Sequence, residues 1–167
     1  MKVVTFNIRC DYGQDGLNEF ANRKELILRK INQEKPDIIG FQEVLPHVAK
    51  WLKENLNEYY VIGCGRGANL RDEQMSIAYR RDRINLISMK TWWLSQTPDV
   101  PGSRYEEQSS CPRTATEAVF EDIKSGKVFR FINTHLDHIG ALAREKGLNQ
   151  ILNQIKQEHF WKDIPVI

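Results

Sequence analysis

The stretch Pro36-Asp37-Ile38-Ile39-Gly40-Phe41-Gln42-Glu43 limits what this chain can fold into more than any other. A proline ends the helical periodicity before it, and an apolar run without alternation follows. Strands that are buried on both faces read this way, and they belong to parallel sheets covered by helices. The run closes on Gln42 and Glu43, where an interior strand has no structural use for polar groups. Two other strand-like runs close the same way, one on Thr5-Phe6-Asn7 and one on Asn133-Thr134-His135-Leu136-Asp137-His138. Polar and titratable residues delivered to one edge of a sheet point to a pocket.

Periodicity predicts the rest. Residues 3–8 are β-branched and aromatic, hence strand. Residues 23–35 carry Leu26, Ile27 and Ile31 at helical spacing before Pro36. Residues 46–56 read as a helix opening on Pro46, whose missing N–H costs nothing at that position. From Tyr59 the period shifts toward two, giving strands at 59–62, 76–79, 84–89, 116–121 and 128–134. Ser125-Gly126 is a hairpin turn between the last two. Leu148, Ile151, Leu152 and Ile155 mark a final amphipathic helix, and Pro165-Val166-Ile167 begins another buried strand. Loops at 63–73 and 95–112 are long enough to suggest function.

A chain of 167 residues, 41% hydrophobic and 28% charged, suits one α/β domain with a real core. Its net charge of +2 is no advertisement for long nucleic acid. Cys10, Cys64 and Cys111 form no disulfide-like or CxxC spacing, which favours a reducing compartment. No leader-like or membrane-spanning segment is read, so the expected location is cytoplasmic and no membrane partner is expected.

Each candidate has an ordinary counterpart. Glu43 at a strand end could hold Mg²⁺, which takes one or two carboxylates plus water, or it could be a surface residue before a helix. Asn7 could orient a phosphate or simply make a turn. His135 and Asp137, two apart, share a face if the strand continues, with Leu136 turned to the core. Thr134-His135-Leu136-Asp137-His138-Ile139-Gly140 partly fits a dinuclear zinc motif, but His47, His135, His138 and His159 are too few imidazoles for one. Arg113 and Arg144 are candidates for phosphate contact.

These segments together resemble the endonuclease/exonuclease/phosphatase superfamily of DNase I-like metal-dependent phosphoesterases. The likeness rests on Val4-Thr5-Phe6-Asn7-Ile8-Arg9, on residues 36–44, on Glu73 with Ser76-Ile77-Ala78-Tyr79-Arg80, and on residues 133–138. Residues 93–103 and 111–116 resemble a bacterial branch of it. The resemblance implies a four-layer α/β sandwich, two mixed sheets face to face with helices outside. It implies a Mg²⁺-dependent phosphoesterase (Mn²⁺ as the substitute) that cleaves a phosphodiester or phosphomonoester by in-line water attack. Glu43 would be the metal ligand, with catalytic roles for Asn7, for His135 on the phosphate, and for Glu73, which would pair with His135 and charge it. Arg113, Asp137 and Arg144 are, on their own chemistry, the candidate phosphate-binding residues beside these. Expected substrates are phosphorylated small molecules or short nucleic acids. The family pattern continues beyond residue 167 with further catalytic motifs, so the expectation is an incomplete domain, 1–167, with impaired activity. The alternative is a non-catalytic fragment that self-associates through an exposed sheet edge near Val166 and Ile167.

Overall fold

The computed structural model describes every residue except Gln14. Strands β1 (Val3–Asn7), β2 (Ile38–Gln42), β3 (Tyr59–Ile62) and β4 (Ile77–Arg80) form one sheet in the order β1-β2-β4-β3. Its β1–β2 pairing is parallel and the others are antiparallel. Strands β5 (Ile84–Trp93), β6 (Thr114–Asp122) and β7 (Val128–Thr134) form a second, antiparallel sheet. Residues 165–167 add to its far side: Val166 bridges Arg130 in parallel, and Ile167 donates to and accepts from β7.

Helix α1 (Phe20–Glu34) makes the crossover between β1 and β2, and α2 (Pro46–Asn55) follows β2. Both pack on the outer face of the first sheet, in a cluster that includes Ile27, Ile31, Ile39, Phe41, Val48 and Leu52. A second cluster lies between the sheets and contains Ile38, Ile77, Tyr79, Phe120 and Phe131. A third, with Trp92, Leu94, Ala115, Ala143 and Ile151, joins the second sheet to α3 (Ala141–Gln157). Three apolar interfaces therefore separate four layers, helices–sheet–sheet–helix, as the resemblance implies. β2 is buried at every position, as its uninterrupted apolar run requires.

A polar clasp crosses the middle interface. Asn133 Nδ2 donates to the carbonyls of Phe41 at 2.7 Å and Ser76 at 3.0 Å, and its Oδ1 accepts from Gln42 Nε2 at 2.7 Å. Gly40 makes room for this clasp, because a Cβ there would stand 2.9 Å from Asn133 Oδ1. Gly126 adopts φ +67°, the left-handed turn conformation that the β6–β7 hairpin demands.

Several boundaries differ from expectation, each for a tertiary reason. α1 starts three residues early because Asp11, nine residues upstream, accepts the Phe20 N–H at 3.2 Å. β5 runs on to Trp93 because β6 pairs with it residue by residue to Thr114. The buried line of α3 is Ala143, Gly147 and Ile151, whereas Leu148 and Leu152 are exposed. Val166 and Ile167 are likewise exposed, contrary to the buried strand expected.

Candidate functional site

The ends of β1, β2 and β7 meet on one edge. Asn7 is the last residue of β1, Glu43 follows the last residue of β2, and His135 follows the last residue of β7. Pairing of β1 with β2 sets Asn7 opposite Gln42, and the Asn133 clasp brings β7 over both. Glu43 leaves its strand with φ 63°, a left-handed conformation uncommon for a residue with a side chain. Such strain persists where surrounding contacts hold it, and it concentrates at functional sites. Here the contacts are plain: Oε1 accepts from Asn7 Nδ2 at 2.7 Å and Oε2 from the Cys10 N–H at 2.8 Å.

Burial works against ionisation of Glu43, but those two hydrogen bonds and the nearby His135 outweigh it and hold the carboxyl below its usual range. The group is a fixed carboxylate. His135 Nδ1 lies 4.0 Å from Glu43 Oε1, is itself buried, and has no hydrogen-bond partner. Burial lowers the His135 pKa, Arg113 lowers it further, and Glu43 only partly opposes them. The imidazole is therefore biased toward its neutral form, the opposite of the charged ring expected from the sequence.

Glu73 corrects a second expectation, because it does not pair with His135. Its Oε1 lies 3.0 Å from Nη2 of Arg66 and accepts from the Tyr12 hydroxyl at 3.4 Å. Burial pushes its carboxyl up, against Arg66. The arginine is held from both sides: its N–H donates to the Glu73 carbonyl, and its carbonyl accepts from the Trp93 indole at 2.6 Å. Trp92 and Trp93 are both buried, part of the core and of these loop contacts.

Arg113, Asp137 and Arg144 do come together, but on one another. β7 ends at Thr134, so Asp137 does not share a strand face with His135. Asp137 turns inward and accepts from the N–H groups of Ile139 at 3.0 Å and Gly140 at 2.7 Å, from Ser109, and from Arg113 Nε at 3.4 Å. Arg144 Nη1 donates to the Asp137 carbonyl at 3.0 Å. Arg113 Nη2 reaches His138 Nδ1 at 2.9 Å. Sequence reasoning missed Arg66, Tyr12 and Ser109. An arginine between two glycines, Gly65 and Gly67, was the one available signal.

The donor set suits a hard cation of the Mg²⁺ type, which takes one or two carboxylates and fills its remaining positions with water and substrate oxygens. Among the described residues there is no group of three His, Cys, Asp or Glu side chains placed to hold a metal. Asn7 turns its Nδ2 to the carboxylate and its Oδ1 to the Arg9 N–H at 2.9 Å, which makes it an orienting group for Glu43.

This layered fold with a carboxylate and a histidine at the strand ends has close counterparts. The sequence model of the Endonuclease/Exonuclease/phosphatase family matches residues 4–106, and the chain belongs to that family. An endonuclease/exonuclease/phosphatase from Bacteroides vulgatus is 38% identical, with a TM-score of 0.88 over 92% of this chain and 59% of its own. A mannosyl-6-phosphatase from Bacteroides thetaiotaomicron is 31% identical, with a TM-score of 0.93 over 99% of this chain and 62% of its own. An uncharacterized protein of Acanthamoeba polyphaga mimivirus is 29% identical over 145 residues, 82% of this chain and 54% of that protein. The chain thus spans about half to three-fifths of the length of these relatives.

Proposed function

We propose that these residues form part of a Mg²⁺-dependent phosphoesterase site, with Mn²⁺ as a substitute, that hydrolyses a phosphorylated small molecule. The observation that carries this reading is the Glu43 carboxylate, locked by Asn7 and Cys10 and set 4.0 Å from the unpartnered, buried Nδ1 of His135. A buried polar atom without a partner is costly, and a ligand oxygen or ordered water would satisfy it. The likeness to a sugar-phosphate phosphatase at 31% identity supports a phosphomonoester over a long polyanion, as does the modest net charge of +2.

Glu43 would hold the cation, which when bound neutralises charge on the phosphoryl oxygens. Asn7 keeps the carboxylate aimed. His135 offers a hydrogen bond to a phosphoryl oxygen, which gains value as charge builds on phosphorus during in-line attack by water. Glu73, tied to Arg66 and Tyr12, sets the charge beside them.

Thermal melting tests this reading on the chain as it stands. A ligand that binds only the folded state raises its melting temperature. Mg²⁺ and inorganic phosphate together should stabilise the protein more than the sum of each alone. Glu43→Gln should remove the synergy, and His135→Ala should remove the phosphate part. Synergy that survives in both variants, or no response in the parent chain, would sink the proposal.

A further inference from the structure

His138 lies outside the roles assigned so far, yet the structure invests heavily in its ring. Its Nδ1 is 2.9 Å from Arg113 Nη2. A guanidinium has five donors and accepts nothing, so Nδ1 must carry the lone pair and the ring proton must sit on Nε2. Arg113 is itself only 5% exposed and is anchored through Nε by Asp137, which is 3% exposed. Asp137 in turn is fixed by Ile139, Gly140 and Ser109. A buried carboxylate thus holds a buried guanidinium, which holds an imidazole that is exposed to solvent. Backing an exposed histidine with a second partner that sets its tautomer is how proteins prepare that ring to meet a ligand.

The position fits. His138 is three residues beyond His135, and Arg113 is the foremost charged influence on His135. The Arg113 guanidinium that touches His138 thus also acts electrostatically on His135.

We infer that His138 is a substrate-contacting residue, held by the Asp137–Arg113 pair in the Nε2–H tautomer and donating a hydrogen bond from Nε2–H to a phosphoryl oxygen beside His135. The inference rests on the phosphoesterase reading and deepens it by adding a second imidazole donor for the phosphate. Arg113 is on this account a positioning residue, acting through His138.

The test is long-range ¹H–¹⁵N spectroscopy of the chain labelled at histidine, at fixed neutral pH, with inorganic phosphate added in the presence of Mg²⁺. His138 should show a single Nε2–H tautomer before phosphate is added, and both His135 and His138 should respond to it. His138→Phe should weaken phosphate binding about tenfold, the usual worth of one hydrogen bond to a charged group. His138→Gln, which retains an N–H donor, should stay within about threefold of the parent. His138 is exposed, so melting should change little in either variant, which separates contact from stability. A mixture of tautomers at His138, a response confined to His135, or unchanged affinity in His138→Phe would overturn the proposal alone. Silence at both histidines would count against the phosphoesterase reading and this proposal together.

Discussion

At the scale of single residues, the site is governed by which charges are fixed and which are free. Glu43 is fixed by two short hydrogen bonds, so its replacement by Gln should keep the fold while removing the one charge offered to a cation. Mn²⁺ affinity measured by calorimetry should drop about tenfold or more. Asp137 is fixed for a different reason. Burial opposes its ionisation, but the Gly140 and Ile139 N–H groups and Ser109 more than compensate, and its carboxyl is held well below the ordinary value of 3.8. A carboxyl with a depressed folded-state pKa binds fewer protons folded than unfolded, so its contribution is complete above pH 3.8 and fades as pH falls through the lower folded value. Asp137→Asn should therefore lose about 2–4 kcal/mol at neutral pH, because Arg113 is left buried without its counter-charge. The variant's stability should also fall less steeply than the parent's in the acid range, as urea titrations at pH 2 to 7 (about the span in which carboxyls titrate) would reveal. Equal slopes would show that Asp137 does not carry the acid sensitivity.

Among the elements, the Asn133–Gln42 clasp decides how the two sheets meet. It satisfies two backbone carbonyls and one side-chain amide in a buried interface. Asn133→Ala would leave the Phe41 carbonyl without this donor, while the Ser76 carbonyl still accepts from the Phe41 N–H and Gln42 Nε2 still reaches the Gly40 carbonyl. Denaturant unfolding should then show a loss of about 1–3 kcal/mol. A loss under about 0.5 kcal/mol, typical of a surface change, would mean that the clasp is replaceable by water. This is also where reading the sequence succeeded and failed. β2 was legible because a strand buried on both faces must be continuously apolar, and the place of Glu43 and His135 at the sheet edge was legible because polar residues ended such runs. What could not be read is contact between distant segments. Nothing local to Phe20 says that Asp11 caps α1, and nothing near Glu73 says that Arg66 rather than His135 will take its carboxylate. The extra length of β5 and the rotation of α3 that exposes Leu148 and Leu152 have the same origin, in partners chosen across the fold.

For the whole molecule, three apolar interfaces stack four layers, while Val166 and Ile167 stay exposed in a strip that pairs with β7 on one side. Exposed strand edges of this kind pair with other chains. Light scattering should show association that grows with protein concentration, and Val166→Lys should reduce it; a monomer at all concentrations would contradict this. No described helix is long and apolar enough to cross a membrane. The central claim is narrower and concerns one place in this architecture: a cation on Glu43 with His135 beside it. Paramagnetic broadening by Mn²⁺ tests it most directly, because the effect falls steeply with distance. Substoichiometric Mn²⁺ should broaden the His135 ring resonances first and leave His159 sharp, and Glu43→Gln should restore His135. Broadening that spares His135, or that persists unchanged in Glu43→Gln, would place the cation elsewhere and contradict the account.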